Sequence, residues 1–152
     1  MTRALDQVMA VMETAFDPHW REAWTRQQVA NSLALPHTYA ILVDAEARLI
    51  DDGEAEAGGF ILARRAPGEE ELLLIGVRPE LRGRGLGRLL IETFAELARH
   101  AGAEQIFLEM RANNPAERLY RTCGFEPIGR RPAYYHTLDG SFLDAITFAR
   151  KL

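Results

Sequence analysis

Apolar residues recur every three to four positions at the start of the chain. Leu5, Val8, Met9, Met12 and Phe16 share one face of a helix predicted over about 2–15, and Pro18 ends it. Thr25 is placed to cap a second helix running to about Leu33, with Val29 and Leu33 on one face and Pro36 closing it. The period then shortens. Tyr39–Val43 and Phe60–Ala63 read as strands, and Pro67-Gly68 marks a turn. Glu71–Val77 is apolar at nearly every position, which predicts a strand buried on both faces. Leu86, Leu89, Leu90, Phe94 and Leu97 return to helical spacing, and Gly102 stops that helix. Gln105–Met110 is the next strand. Asn113 is placed to cap a short helix whose inner face is Ala116, Leu119, Tyr120 and Cys123, ending at Gly124. Phe125–Ile128 and about 143–148 complete six strands. The order predicts an α/β protein, a mixed sheet with helices on both faces, in one domain over 1–152.

Between the first two strands, 44–59 breaks the pattern. It holds Asp44, Glu46, Asp51, Asp52, Glu54 and Glu56 against Arg48 alone, and reads as a solvated hairpin connection.

The chemistry is most concentrated in Arg82-Gly83-Arg84-Gly85-Leu86-Gly87-Arg88, between the apolar strand and the helix after it. Free N–H groups at a helix start, with the helix dipole behind them, hold anions. Glycines let the backbone approach a ligand, and arginines add charge for phosphate oxygens. A diphosphate is the expected ligand; the alternative is a glycine-rich helix start with none. No Lys-Ser or Lys-Thr follows, so this is not a P-loop, and the Gly spacing is not that of a dinucleotide fold.

Composition narrows the classes. The net charge of −4 argues against bulk nucleic-acid binding, and no apolar run approaches the roughly 20 residues of a membrane span. Cys123, the single cysteine, allows no internal disulfide, which with the absence of a signal-peptide pattern predicts a cytoplasmic protein. His19, His37, His100 and His136 match no metal spacing, so no metal is expected.

Arg82-x-x-Gly85-x-Gly87 resembles the cofactor signature of the GNAT superfamily of N-acetyltransferases. Glu109, Asn113, Ala116, Leu119-Tyr120 and Gly124-Phe125 resemble the second half of the same fold. Arg130-Arg131, Tyr134-Tyr135, Asp139-Gly140 and Asp144-Ala145-Ile146 resemble the RimI type within it, which acetylates the N-terminal alanine of ribosomal protein S18. The resemblance implies a mostly antiparallel sheet of about six strands, since the family's first strand has no counterpart here. It implies a V-shaped splay between two central parallel strands, with acetyl-CoA in the V. The pantetheine would pair with Ile75, Gly76 and Val77, and the diphosphate would sit on Gly83, Arg84, Gly85, Leu86, Gly87 and Arg88 beside Arg82. Asn113 would make a polar contact to the cofactor. Glu109 would be the base and Tyr120 the acid, while Tyr134 and Tyr135 would line the acceptor groove. Arg111 is the ready ion-pair partner for Glu109, and Trp20 and Trp24 either wall the acceptor site or staple the first helices together. The implied reaction is acetyl transfer to a protein N-terminal amine. The rivals are a small amine acceptor, such as a polyamine, aminoglycoside or amino acid, and a non-catalytic acyl-CoA-binding module.

Overall fold

The computed structural model describes residues 2–20, 22–51 and 55–152. Helix α1 spans Thr2–Ala15 and buries Val8, Val11 and Met12. Helix α2 spans Arg26–Leu33. It opens with a reciprocal cap: the Gln28 N–H donates to Thr25 Oγ1 at 3.1 Å, and the Thr25 N–H donates to Gln28 Oε1 at 2.8 Å. Such a cap is worth about 1 kcal/mol and fixes where the helix begins. Strand β1 is Thr38–Val43, β2 is Leu49–Ile50, β3 is Gly59–Ala66 and β4 is Glu69–Val77. Helix α3 follows over Leu86–His100, then β5 over Gln105–Arg111, α4 over Glu117–Thr122, β6 over Glu126–His136 and β7 over Phe142–Lys151.

The strands form one sheet in the order β2-β1-β3-β4-β5-β7-β6. Among the described residues its seven strands replace the expected six. The addition is β2, inside the acidic connection, where Leu42 pairs with Ile50 and Val43 with Leu49. Two residues carry too little alternation to register as a strand in sequence. Strand β6 also runs well past the expected Ile128, because its exposed residues lack a buried face to mark them.

Alternation along β1 and β3 sorts the core into two layers. Ile41, Val43, Ile61 and Ala63 join Leu86, Leu90, Ile91 and Phe94 of α3. Leu42, Phe60 and Leu62 face Val8, Val11 and Met12 of α1 and Val29 of α2. Leu97, expected on the inner stripe, is 39 % exposed; Ile91, Ala95 and Ala98 fill that side of the helix instead. Trp24 packs against the α1–α2 layer, which favours the staple role for it; the Trp20 side chain lies outside the described residues.

Strand β4 departs from expectation in a way that matters. It starts at Glu69, earlier than its apolar run, because cross-strand charge pairs hold the acidic end. Arg64 pairs with Glu71, and Glu70, 1 % exposed, accepts from Tyr39 Oη at 2.6 Å and Arg65 Nε at 3.1 Å. Further on, Leu73, Leu74, Ile75 and Val77 are only partly buried. The register with β3 shifts there: Ala63 opposes Leu72 and Leu62 opposes Leu74, leaving Leu73 as an extra residue. Such a bulge bends the strand. The parallel pairing with β5 runs from Glu69↔Gln105 to Leu72↔Leu108 and no further, while β5 stays paired with β7 as far as Arg111↔Ala145. Beyond Leu72 and Leu108 the two central strands diverge, opening the expected V.

Candidate active site

The glycine loop stands at the N-terminus of α3, next to the end of β4. Gly83 and Gly85 hold φ values of +79° and +86°, a region closed to most side chains, and a Cβ on either would meet open space. Gly85 caps α3 with no side-chain hydrogen bond to its first turn, so the backbone donors there remain for a ligand. Gly87 is needed for a different reason. A Cβ on it would lie 2.9 Å from Leu119 Cδ2, so the first turn of α3 packs directly against α4. That contact sets the loop beside Tyr120. Arg82 donates to the carbonyl of Ala15 at 2.6 Å, tying the loop to the end of α1, while Arg84 and Arg88 are exposed.

Tyr120 is 5 % exposed and packs edge-on to Phe125, with ring centroids 6.1 Å apart. Burial, then the charges of Glu22 and Tyr135, push its phenol well above the ordinary tyrosine range. Glu109 sits on β5 at the first pair past the point where β4 leaves. Its partner is Arg131 on β6, with Arg131 Nε 3.2 Å from Glu109 Oε2, and not the expected Arg111. Arg111 is 4 % exposed; it pairs with Glu22 at 3.2 Å and donates to the Asn113 carbonyl at 2.7 Å. Asn113 does not cap α4. It takes φ +69° in the β5–α4 connection, its side chain exposed, and Asn114 Oδ1 instead accepts from the Ala116 N–H at 2.9 Å.

Tyr134 and Tyr135 stand on β6 where its register with β7 is broken. Arg131 opposes Ala145 and Tyr135 opposes Leu143, so Pro132, Ala133 and Tyr134 oppose Asp144 alone. The Asp144 carboxylate holds this bulge by accepting from the Ala133 N–H at 2.8 Å and from Arg130 Nε at 2.6 Å. The two rings meet edge to face at 5.3 Å, and the Arg131 guanidinium lies 5.0 Å from the Tyr134 ring centroid. Tyr135 is pushed up to about 12 by burial, then by the charges of Glu109 and Glu22. The structure therefore gathers Glu109, Tyr120 and Tyr135 on the β5 side of the V, with the glycine loop adjoining.

Sequence reasoning missed Glu22 and the role of Arg131. Glu22 falls in a segment without periodicity, and nothing local to it signals its partners. Cys123 is buried, with its thiol pushed up by that burial, as its place on the inner face of α4 predicts. Among the described residues no group of three or more His, Cys, Asp and Glu side chains is arranged to hold a metal, and no helix is long and apolar enough to cross a membrane.

The family model for the acetyltransferase (GNAT) family matches residues 6–125. The chain belongs to the GNAT family. It is accordingly an acetyl-CoA-dependent N-acetyltransferase, and the V, the glycine loop and the parallel β4–β5 pair are that family's architecture. The N-alpha-acetyltransferase RimI of Mycobacterium tuberculosis is 34 % identical over 155 residues, spanning 99 % of this chain and 89 % of that one. An uncharacterized protein of Mycobacterium leprae is 40 % identical over 130 residues, or 83 % of this chain, which spans only 33 % of that longer protein. The crystal structure of the ribosomal-protein-S18-alanine N-acetyltransferase from Escherichia coli matches this GNAT fold with a TM-score of 0.81. That match has 26 % identity and covers 99 % of this chain and 89 % of the other.

Proposed function

We propose that this chain transfers acetyl from acetyl-CoA to a protein N-terminal α-amine in the cytoplasm, as a RimI-type enzyme of one domain. The observation that carries the acceptor reading is the placement of the Tyr134–Tyr135 pair on the bulged edge strand, with Tyr135 under the charge of Glu109. Paired tyrosines offer rings and hydroxyls to an extended backbone at small entropic cost.

The residues fit acetyl-CoA. The edge of β4 past Leu72 is unpaired with β5, so backbone groups of Ile75, Gly76 and Val77 are available to an extended pantetheine arm. The diphosphate would rest on the N–H groups of Gly83–Arg88, with Arg82 alongside and Asn113 at the rim. An ammonium cannot attack a thioester, so Glu109, directly or through water, accepts its proton. The amine nitrogen then bonds to the acetyl carbon, with a backbone N–H near Val77 facing the developing oxyanion. As the carbon–sulfur bond breaks, the Tyr120 hydroxyl gives its proton to the leaving thiolate, and the tyrosinate takes up the second proton that the nitrogen sheds in becoming an amide, while Glu109 returns the first to solvent. The phenol enters each turnover protonated, as the direction of its shift requires.

Thiol release from acetyl-CoA tests the acceptor. A short peptide beginning with Ala is expected to give a higher kcat/KM than spermidine, a free amino acid or an aminoglycoside. Turnover of a small amine with none of the peptide would overturn the N-terminal reading and leave the acetyltransferase assignment standing.

A further inference from the structure

Glu22 lies in the segment between the 3₁₀ turn at Pro18–Trp20 and α2, outside every motif of the family resemblance. Yet its carboxylate, 18 % exposed, is fixed among the groups of the acceptor side. One oxygen lies 3.2 Å from Arg111 Nε and the other accepts from Asn114 Nδ2 at 3.4 Å. Arg111 in turn is anchored to the Asn113 carbonyl. The segment before α2 is thereby fastened to the end of β5 and to the connection leading to Tyr120. Leu138 adds a second fastening, donating from its N–H to the His19 carbonyl at 3.2 Å, so the same segment also meets the tip of the β6–β7 hairpin. Glu22 thus stands where three walls of the acceptor side meet, and its charge reaches both Tyr120 and Tyr135. Among the described residues each oxygen has one partner, while a carboxylate accepts about four hydrogen bonds in all.

Resting on the N-terminal-amine reading above, we infer that Glu22 is an acceptor-binding residue. It receives the incoming α-ammonium and selects a charged amine over a neutral chain end, leaving Glu109 to take the proton. A hydrogen bond to a charged group is worth more than a neutral one, and a partly buried carboxylate already held in place loses little freedom in making it.

The test compares an Ala-initiated peptide with the same peptide carrying a propionyl group in place of alanine, which keeps the methyl and removes the amine. Both are titrated calorimetrically into the CoA complex. Wild type is expected to bind the amine form about tenfold tighter. Glu22→Gln, which keeps hydrogen-bonding oxygen and loses the charge, is expected to lower that ratio several-fold, the remainder coming from Glu109, with CoA affinity unchanged. A purely structural role would weaken both peptides alike and leave the ratio intact, which overturns the inference. Should Glu22→Gln fail to fold, Glu22→Asp keeps the charge but withdraws it by one methylene; a wild-type ratio in that variant overturns the inference equally. Wild-type enzyme that acetylates no Ala-peptide defeats the acceptor reading itself, whereas acetylation with an unmoved ratio defeats only the role of Glu22.

Discussion

Burial and the charge of Glu22 keep the Tyr120 phenol protonated far above neutral pH, and the edge-on contact with Phe125 fixes its ring. Tyr120→Phe retains that packing and deletes only the donated proton. Turnover is expected to fall on the order of 10²-fold, with acetyl-CoA affinity nearly unchanged. Wild-type turnover, measured where chemistry limits the rate, would make Tyr120 a packing residue. Residues of this kind were legible from sequence because their signals are local. Gly85 and Gly87 sit in a short string, and Tyr120 lies at a fixed distance from Asn113 and Gly124. Glu109 was legible as a position but not in its surroundings. Its partner comes from β6, across β7, while Arg111, two residues away, turns to a carboxylate far off in sequence. Pairings across such separations follow from the sheet order and from no stretch of text.

At the level of elements, the helices were read well where amphipathic spacing and caps agreed, as at Thr25 and Gly102. The strands were read by their apolar runs, so β2 and most of β6 went unseen. The bulge at Leu73 was also invisible, because Leu72, Leu73 and Leu74 form an unbroken apolar run that looks like regular strand. Its effect on β4 is open to a direct test. Deleting Leu73 would leave Leu72 opposite Ala63 and Leu74 opposite Leu62, a continuous register with β3. Without the bulge β4 should straighten toward β5 and narrow the V. The variant is expected to fold and to lose most of its affinity for acetyl-CoA, measured by calorimetry. Wild-type affinity would show that the splay is set elsewhere.

For the molecule as a whole, ligand binding and stability are linked, because only the folded loop presents converging backbone donors. Acetyl-CoA at about 100 times its Kd should raise Tm by on the order of 5–10 °C. Gly85→Asp adds a negative charge where the diphosphate would rest and strains φ +86°, so its shift should vanish. Gly85→Ala carries the same strain without the charge and should keep part of it. Equal shifts in wild type and Gly85→Asp, by thermal melting, would remove the diphosphate site.

The divergence of β4 from β5 has a mechanical side. Among the described residues, four paired positions, from Glu69↔Gln105 to Leu72↔Leu108, with the Glu104 N–H donating to the Gly68 carbonyl at 2.8 Å beside them, form a short backbone seam between two plates, β2-β1-β3-β4 and β5-β7-β6. Helix α3 touches strands of both plates and braces the seam from one face, whereas the main contacts of α1 and α2 with the sheet fall on β1, β3 and β4. The plates are expected to flex about the seam like a hinge, backed by α3 on one face and tied on the other by the Glu22–Arg111 pair and the Leu138 N–H to His19 carbonyl bond. An extended molecule bonded along β4 and resting against β5 acts as a splint across that hinge. Stiffness gained in this way should show in amide exchange as slowing at Ile75, Gly76 and Val77, while Glu69–Leu72, already zipped, exchange as before. The cosubstrate would then be a temporary structural member as well as the acetyl donor, and each product release would return the enzyme to its looser form.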